Sequence, residues 1–562
     1  MDKAQIKAKF ERLKSGRTAW NGQFEILGEY ISQVKQNFEG SPEQGQFMNG
    51  DIFDSTGTFA AHNAASALLG MLWPGTAKQS IEISPPDDLD ISAEVQAFYR
   101  KMTDKTVRAM DDPRANLSLA LDEYMLDQVI NGTSGVGVEK GYESKLLYKP
   151  YGVREMFIEE GRNGKVAEVW LLFDWPLSRV VSEYGVDKLS QTLKDKVKNG
   201  KLTETVTILV MVAPRTEMKA KRGKLAMPVQ SLHMEYKNDL HVMREEGFEE
   251  FPIAVGRFRK LNYEKYGRSP GMNALPDIRE CNALREAVII ATEKNLDPPM
   301  GVYGDGVMGG GIVDTSAGAI TVVNASANMG AGNPIFPLVT VGSIPDAIAR
   351  LEELRNAIAQ HFHIDRLIDF NNEQEMTFGE AQIRNQIRTA SLSSLFSRQI
   401  AEVLTPVIER SVNILFRMGE FGYIRGTDEE QEALAQGKTV EYVPEVIAKR
   451  LEDGADIYQV TYKTQAANAS RAEEYMAILD VMRVCGEAMA VDQSIVNRVD
   501  FHKGVKQIAS IRGVDILRSD DEVESMQAEQ QKQQQEAQEL VQAQAMAGAA
   551  KDAASAGKDM RA

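Results

Sequence analysis

The sequence predicts a mainly helical α+β protein made of several structural units. Three observations support this class: the length, a change from helical to strand-like patterning and back along the chain, and a glycine-rich insert between two helices. The chain has 562 residues, of which 43% are hydrophobic. It therefore has ample material for a buried core but is too long for one ordinary domain.

Helical patterning opens the chain. Apolar residues at helical spacing between 3 and 38 predict one or two amphipathic helices. An Ala- and Leu-rich stretch, Ala60–Leu72, predicts another helix, which stops at Trp73-Pro74-Gly75. Residues 80–90 are typical of a short strand followed by a Pro-Pro loop.

Strand-like patterning dominates residues 136–260. Runs of β-branched and aromatic residues over Val166–Phe173 and Val206–Val212 predict strands. Turns are expected at Gly161–Gly164 and at the basic segment Lys219–Lys224. An antiparallel sheet is therefore expected in this part of the chain.

Two long helices follow. Pro276 lies in the first turn of a predicted helix that continues to about Leu296 and stops at Asp297-Pro298-Pro299, a length of about 30 Å. A second helix of similar length begins at Ser343, which can cap free N–H groups, and Asp346 favours the positive end of its dipole. The apolar face of the second helix consists of Ile348, Leu351, Leu354, Ile358 and Phe362.

The insert between these helices, residues 298–342, holds ten glycines and only two charged residues, Asp305 and Asp314. A segment with so few large side chains does not fold alone on buried area. Its strand-like pieces are Ile312-Val313, Ala319–Val323 and Ile335–Val341. We expect these pieces to become ordered by pairing with other chains.

A longer helix is predicted after a polar, acidic segment at 365–375. Thr377 and Glu380 fit the capping box of a helix start, and Pro406 is expected to kink the helix. Its apolar positions recur at close to helical period: Ile383, Ile387, Leu392, Leu395, Ile400, Val403, Val407, Val412 and Leu415. Beyond residue 520, crowded Gln residues followed by Ala, Gly and Lys predict a tail without a stable fold.

The charge and the cysteine content exclude several classes of protein. Lys and Arg number 64 against 81 Asp and Glu, a net charge of −17, whereas proteins that grip phosphate have the opposite balance. With only Cys281 and Cys485, one chain builds neither a disulfide framework nor a cysteine zinc site. Because no signal peptide or membrane-spanning run is recognised, we expect a soluble protein without membrane contact.

Two glycine motifs are better explained by structure than by ligand binding. Gly304–Gly309 matches the dinucleotide pattern GxGxxG, but no helix pattern follows it. Gly132–Lys140 misses the spacing of a phosphate loop. We expect the first to be a flexible loop and the second to be a turn that leads into a strand.

The titratable residues do not predict a catalytic or metal site either. His361 and His363 lie two apart near a helix end, where such side chains face apart, and interaction with the helix dipole explains them. Acid–base catalysis needs carboxyl groups in different environments, whereas the carboxylates of the next segment are expected to form a solvated loop: Asp365, Asp369, Glu373 and Glu375. We therefore expect no catalytic residue, no metal and no cofactor.

Four short segments carry a resemblance to a known family. Tyr266–Ile278 resembles the segment that opens the first stem helix in podovirus-type bacteriophage portal (head-to-tail connector) proteins, and Asn295–Met300 is similar to the Pro-Pro stop after it. The segment from Met376 to Gln386 resembles the start of that family's long helix, and Ala469–Glu474 is similar to a further segment. Their order and spacing match the family over about residues 10–515.

The resemblance implies a mainly helical portal fold that assembles as a ring of twelve subunits. The implied division of the chain is an N-terminal α+β wing (1–262), a first stem helix (263–297), a Gly-rich clip containing β-structure (298–342), a second, antiparallel stem helix (343–363), a tunnel loop (364–376), a long wing helix (377–424), a wing return and helical crown (425–519) and a Gln/Ala-rich tail expected to be disordered (520–562).

The family resemblance also implies a function and a set of partners. Portals are structural proteins, not enzymes, and form the conduit for double-stranded DNA during packaging and ejection at one capsid vertex. The implied partners are the terminase large subunit, tail adaptor and tail tube proteins, the capsid protein and the scaffold. The protein would be assembled in the host cytoplasm and become part of the virion, and its acidic surface would guide DNA non-specifically without holding it.

Within the implied tunnel loop, Arg366, Asn371, Asn372 and Gln374 are the candidate DNA-facing residues, because the loop lies between two helices. Two other functions remain open. Another capsid or scaffold protein would assemble into shells or filaments. A nucleic-acid-processing enzyme would be expected to show a nucleotide loop or clustered carboxylate metal ligands, and the sequence has neither.

Overall fold

A computed structural model describes residues 3–33, 38, 51–86, 88–89, 92–215, 223–304, 314–324, 335–338, 342, 344–364, 392–435, 437, 440–463, 472–489, 504, 505 and 508. The chain divides into two compact units, Met1–Ser470 and Arg471–Ala562. In the second unit the described residues include one helix, Ala472–Met489. The predicted tail, 520–562, lies outside the described residues.

The first unit combines helices with four small sheets in its described part. Its helices are α1 (Lys3–Gly16), α2 (Thr18–Leu27), α3 (Thr56–Leu72), α4 (Ala77–Ser80), α5 (Ala93–Met110), α6 (Leu117–Asn131), α7 (Leu177–Tyr184), α8 (Gln191–Lys198), α9 (Pro270–Leu296), α10 (Ile344–His361), α11 (392–399), α12 (Thr405–Arg417), α13 (Asp428–Ala435) and α14 (Glu445–Glu452). Its strands are β1 (Ile81–Ser84), β2 (Thr133–Lys140), β3 (Leu146–Gly152), β4 (Met156–Glu160), β5 (Val166–Pro176), β6 (Thr205–Pro214), β7 (Val229–Glu235), β8 (His241–Phe248), β9 (Ile253–Arg257), β10 (Met300–Gly304), β11 (Ile320–Asn324), β12 (Ile335–Pro337) and β13 (Gln459–Tyr462). The α+β class is thus confirmed.

The largest sheet is an antiparallel meander in the order β4-β5-β6-β7-β8. Both predicted strands, here β5 and β6, lie in it, and the predicted turn at Gly161–Gly164 joins β4 to β5. Alternate residues of β6 enter two different apolar clusters. Because both faces of the sheet are covered, β6 has a nearly continuous apolar sequence.

Helix α1 covers one face of this sheet, and α7 and α8 contribute to the apolar cluster on the other. Phe10 of α1 packs edge-on against Phe157, with ring centroids 5.1 Å apart, and stacks on Trp170 at 5.8 Å. The predicted N-terminal amphipathic helices are therefore confirmed. Their apolar side is what attaches the start of the chain to the sheet.

A second sheet has the strand order β3-β2-β9. Most of its buried apolar residues belong to the same apolar cluster as those of α6, α9 and α12. Gly132 ends α6 with φ of +81°, and a Cβ at Gly132 would lie 2.5 Å from the carbonyl oxygen of Gly267. Glycine is needed here because the two backbones cross and because φ is positive. The prediction that residues 132–140 form a turn and a strand is confirmed.

Helices α5 and α6 are absent from the sequence prediction, although α5 has a regular helix start. The Ser92 side chain caps α5 by accepting a hydrogen bond from the Val95 amide at 3.3 Å.

The predicted helix that stops at Trp73 is confirmed as α3. The predicted strand before Pro85 is confirmed as β1, which pairs antiparallel with β13 from near the end of the first unit.

The predicted long helix is irregular where Pro406 enters it. Between α11 and α12 the chain forms a π-turn, Ile400–Leu404, in which the Thr405 amide donates to the Ile400 carbonyl. Proline has no N–H to continue the α-helical hydrogen bonds at this point. The predicted start of this helix, including Thr377 and Glu380, lies outside the described residues. Among the described helices, none combines the length and apolarity needed to cross a membrane.

Candidate functional site: the helical hairpin and the clip sheet

The first helix of the hairpin, α9, is anchored at its N-terminus. Ser269 accepts a hydrogen bond from the Met272 amide at 2.9 Å and donates one to the Ile130 carbonyl at 2.7 Å. Pro270 occupies the first helical position. The prediction that Pro276 lies in the first turn is therefore wrong: Pro276 is inside the helix, because the cap lies one and a half turns or more earlier. At 27 residues, α9 is about 40 Å long, clearly longer than predicted.

The second helix, α10, runs antiparallel to α9 and has 18 residues, so the two helices are not of similar length. Four of the five residues on the predicted apolar face are buried: Leu351, Leu354, Ile358 and Phe362. The fifth, Ile348, is 44% exposed. It lies near the start of α10, where Ala349 and Arg350 are exposed as well. Asp346 lies in the first turn as predicted.

Polar pairs join the outer surfaces of the hairpin. Arg350 Nη2 lies 2.9 Å from Glu280 Oε1, and both side chains are about half exposed. His361 Nε2 lies 3.1 Å from Asp277 Oδ2. No metal-ligating group of three or more His, Cys, Asp or Glu residues occurs within the described part of the chain, and the structure instead gives His361 a carboxylate partner. Such exposed pairs contribute at most about 1 kcal/mol each.

The base of the hairpin is tied to residues 51–54. Asn282 Nδ2 donates to the Asp51 carbonyl at 2.9 Å, and Asn282 Oδ1 accepts from the Phe53 amide at 2.7 Å. Arg355 Nη2 of α10 lies 2.6 Å from Asp54 Oδ2. Burial opposes ionisation of Asp54, but hydrogen bonds from Arg355 and Thr56 outweigh it and hold the pKa of Asp54 below its ordinary value. One segment, in which Asp54 is the buried residue, thus fixes both helices.

Cys281 lies beside this contact. Burial, reinforced by the negative charge of Asp54, raises the pKa of the Cys281 thiol to about 11. The thiol is therefore protonated at neutral pH and unreactive. Cys281 and Cys485 are both free.

Beyond the hairpin, three short strands form a mixed sheet that we call the clip sheet, in the order β11-β10-β12. β10 is parallel to β11 and antiparallel to β12. Gly301 leaves room for the Phe336 ring, which a Cβ would approach to 2.7 Å. We expected this segment to become ordered by pairing with other chains, but the structure shows pairing within the chain as well: β10, a strand missing from the prediction, is the central partner of β11 and β12. The predicted strand at 319–323 is confirmed as β11, and β12 covers the start of the predicted 335–341 strand.

The end of the hairpin and the clip sheet expose large apolar side chains. Leu296 at the end of α9 is 81% exposed, and Ile320 on the edge strand β11 is 70% exposed. Further exposed members of this set are Ile290, Val322, Ile335 and Ile348. Apolar exposure concentrated in one place marks an association surface.

The candidate DNA-facing residues cannot be placed. Arg366, Asn371, Asn372 and Gln374 lie outside the described residues, as do the carboxylates Asp365, Asp369, Glu373 and Glu375. Most of the Gly304–Gly309 motif also lies outside them. The tunnel-loop assignment stays a prediction.

The hairpin joins the rest of the first unit near a buried ion cluster that the sequence prediction missed. Arg257, at the end of β9, is 1% exposed and contacts two carboxylates. Its Nη2 lies 2.8 Å from Glu402 Oε1, Nη1 pairs with Glu160, and Nη2 also donates to the Gly164 carbonyl at 2.9 Å. The π-turn that contains Glu402 is therefore fixed to two strands through one guanidinium.

The backbone of Gly256 and Arg257 is also closely surrounded by side chains. Gln128 Nε2 of α6 donates to the Gly256 carbonyl at 2.6 Å, and Gln399 Nε2 donates to the Arg257 carbonyl at 3.3 Å. A Cβ at Gly256 would collide with the hydroxyl of Tyr124 and lie 2.7 Å from Val403 Cγ2. The sequence signal for this junction is a charged residue, Glu402, in an otherwise apolar helical run four residues before Pro406.

Comparison with known proteins identifies the class. The sequence pattern of the family described as "Bacteriophage head to tail connecting protein" matches residues 3–516, and the chain belongs to this family. The family is a structural component of bacteriophages and not a family of enzymes.

Two curated relatives agree. The chain is 24% identical over 412 residues to a "Probable portal protein" of Bordetella phage BPP-1, covering 72% of each chain. It is 22% identical over 426 residues to a "Portal protein" of Salmonella phage epsilon15, covering 74% of this chain and 75% of the relative. The function that the family and these relatives support is that of a phage portal protein, a component of the virion.

Among solved structures, a chain described as "Virion of native gene transfer agent (GTA) particle" aligns with 72% of this chain and 96% of its own length, at 11% identity and a TM-score of 0.28.

Proposed function

We propose that this chain is the subunit of a closed ring, of twelve copies, that forms the head-tail connector at one capsid vertex and the conduit for double-stranded DNA in packaging and ejection. The observation that supports the ring is the exposed apolar set on the hairpin end and clip sheet, with Leu296 and Ile320 mostly in solvent. In a ring, each subunit meets the next through two different surfaces, and rotation closes the assembly. The edge strands β11 and β12 are then available to neighbours.

In this proposal the hairpin of α9 and α10 is the stem and the clip sheet is the clip. Residues 1–262 and 377–424 contribute the wing, residues 425–519 lead into a crown, and residues 364–376 form the tunnel loop. Arg366, Asn371, Asn372 and Gln374 are the proposed DNA-facing residues. The proposed partners are the terminase large subunit, tail adaptor and tail tube proteins, the capsid protein and the scaffold, with assembly in the host cytoplasm.

The charge supports a conduit in preference to a DNA clamp. A net charge of −17 per subunit makes a ring of such subunits strongly anionic. Its average field repels phosphate, so DNA passes without falling into a deep energy well. We expect weak, salt-sensitive binding of duplex DNA by the isolated ring.

Electron microscopy of the purified chain, together with mass measurement in solution, tests the proposal. Closed rings of about a dozen copies with an open central channel are expected. Shells or filaments would indicate another capsid or scaffold protein. A monomer at micromolar concentration would contradict the ring, and retention of duplex DNA at nanomolar concentration in physiological salt would contradict the conduit.

A further inference from the structure

A surface rich in cations surrounds the Arg257 ion cluster, away from the hairpin end and the clip sheet. It is formed by the β4–β5 turn and by the loop that follows β9. Residues 159–165 and 257–268 together hold seven Lys or Arg against three Glu. The excess within these two segments is four positive charges, and the neighbouring carboxylates Glu402 and Glu409 reduce it to two. The net charge of the whole chain is −17.

Contacts through the ion cluster bring these segments together. Arg257 reaches the Gly164 carbonyl in the turn at 2.9 Å, and Lys260 Nζ lies 2.7 Å from Glu160 Oε1 at the end of β4. The loop is closed at its base, where the backbones of Arg259 and Arg268 pair. The turn and the loop therefore present one continuous surface, which we call the junction surface.

Three cations of the junction surface form no ion pair with a described residue. Arg162 and Lys165 lie on the turn, Arg259 lies on the loop, and all three are exposed. Within the described residues, none of them forms an ion pair. Lys165 lies close enough to Glu409 to interact electrostatically with its carboxylate. The other basic residues of the two segments do have carboxylate partners, as in the pairs of Lys265 with Glu159 and of Arg268 with Glu264.

The tip of the loop adds groups that suit a polar partner. Tyr263 is 82% exposed, and Asn262 is exposed beside it. Leu261, 45% exposed, is the large aliphatic side chain of the tip. A protein interface usually has a buried apolar centre, which a single leucine does not provide, whereas phosphate contacts depend on charge and hydrogen-bond donors.

We propose that the junction surface binds the phosphodiester backbone of double-stranded DNA. The guanidinium groups of Arg162 and Arg259 can each donate two hydrogen bonds to a phosphate, Lys165 adds a point charge, and Asn262 and Tyr263 donate to phosphate or sugar oxygens. The partner class rests on the proposed function, in which a ring of this chain handles DNA. Binding by one copy is weak, and repetition around a ring increases the total affinity.

The test uses the full-length chain in its native assembly and a fluorescein-labelled 40-base-pair duplex, with affinity measured by anisotropy between 50 and 200 mM NaCl. The variant combines Arg162→Gln, Lys165→Gln and Arg259→Gln. The matched control combines Lys188→Gln, Lys194→Gln and Lys198→Gln on and near α8, three cations that also form no ion pair among the described residues. Both variants change the net charge equally.

The expected result is a loss of affinity of about tenfold or more at 50 mM NaCl for the junction variant only. The slope of log affinity against log salt should become shallower by about 0.9 for each phosphate that the variant no longer neutralises. Tyr263→Ala should weaken binding about two- to threefold without changing that slope, because it removes no charge.

Four outcomes would overturn the proposal. Unchanged affinity in the junction variant would do so, as would an equal loss in both triple variants. A labelled polyglutamate peptide that binds the surface more tightly than the duplex would assign it to an acidic protein partner. Loss of assembly in the junction variant would assign it to a subunit contact. Failure of the proposed function is separate, because ring formation by the unaltered chain is read from mass and images and not from DNA affinity.

Discussion

The Arg257 junction and the hairpin end show opposite ways of using charged and apolar side chains. At the junction, Arg257 is buried between Glu402 and Glu160, and glycine replaces a side chain where backbones and helices meet. At the hairpin end, ion pairs such as Arg350–Glu280 are half exposed, and apolar side chains such as Leu296 face solvent. At the junction the buried charges find their partners within one chain. At the hairpin end the exposed apolar side chains are typical of a surface that binds another protein.

The largest effect is expected from Arg257→Met. This change removes the buried guanidinium that joins Glu402 and Glu160, which keep only their more exposed partners, Arg398 at 3.5 Å and Lys260 at 2.7 Å. Breaking a buried ion pair costs about 3–5 kcal/mol, and the remaining partners place the expected loss at about 3 kcal/mol. Chemical denaturation of the dissociated subunit measures this loss of unfolding free energy. Arg350→Met is the control and should change stability by less than about 1 kcal/mol. Similar losses for the two variants would remove the contrast between the regions.

The second prediction concerns pH and compares Asp127 of α6 with Asp54 at the hairpin base. Burial raises the pKa of Asp127 to about 6, so folding favours its protonated form. Its contribution to stability is present below pH 4 and is lost as the pH rises from about 4 to 6. With about 1.4 kcal/mol for each pKa unit, the loss is on the order of 3 kcal/mol.

The pKa of Asp54 is lowered instead, so its contribution has the opposite sign: it is present at neutral pH and lost as the pH falls below the ordinary carboxyl range. Unfolding free energies of Asp127→Asn and Asp54→Asn, each measured from about pH 2 to 7 relative to the unaltered chain, check both. The two difference curves should slope in opposite directions, the Asp127 curve between about pH 4 and 6 and the Asp54 curve below about pH 4. Parallel curves would show that one assignment of environment is wrong.

The third prediction tests how closely the junction is packed. Gly256→Ala adds a methyl group that meets the Tyr124 hydroxyl and Val403, and overpacking of this kind costs about 1–3 kcal/mol. Gly22→Ala is the control, because nothing lies within 4 Å of a Cβ there. In the middle of helix α2, alanine should stabilise by about 0.4–1 kcal/mol. Destabilisation by both changes would contradict this difference in packing.

The smallest effect is expected at the hairpin. A double-mutant cycle with Arg350→Ala and Glu280→Ala should give a coupling energy of about 0.2–1 kcal/mol, falling in high salt. A coupling above about 2 kcal/mol that persists in 1 M NaCl would show that this pair is shielded from solvent, and the contrast with the junction would then be smaller.

The elements predicted from the sequence are those whose pattern is local. Local apolar patterns predict α3, α10, β5 and β6, and the Pro-Pro stop predicts the end of α9. The family resemblance rests on short segments of the same kind. The start of α9 is misplaced because Pro276 fits a first-turn proline as well as Pro270 does. Strand β10 is missed because its two glycines and its position after two prolines resemble a loop.

The junction could not be predicted from the sequence, because its partners are distant along the chain. Glu160, Arg257 and Glu402 meet only after three separate elements have packed. Glu402 is detectable as a charge within an apolar run, and Arg398, four residues earlier, is a local partner at 3.5 Å. Nothing local indicates that Arg257 is the buried cation that it binds. The candidate DNA-facing residues, Arg366, Asn371, Asn372 and Gln374, stay predictions.

The pairing of β1 with β13 has a consequence for synthesis. Ser84 pairs with Gln459, 375 residues further on, and translation of that interval takes about 20–75 s at 5–20 residues per second. For that time the nascent chain carries β1 without its partner strand, although Ile81 and Ile83 are apolar and buried in the finished protein. We expect the emerging polypeptide to need protection of β1 during this interval, because a chain that ends before residue 459 lacks the partner of that strand edge.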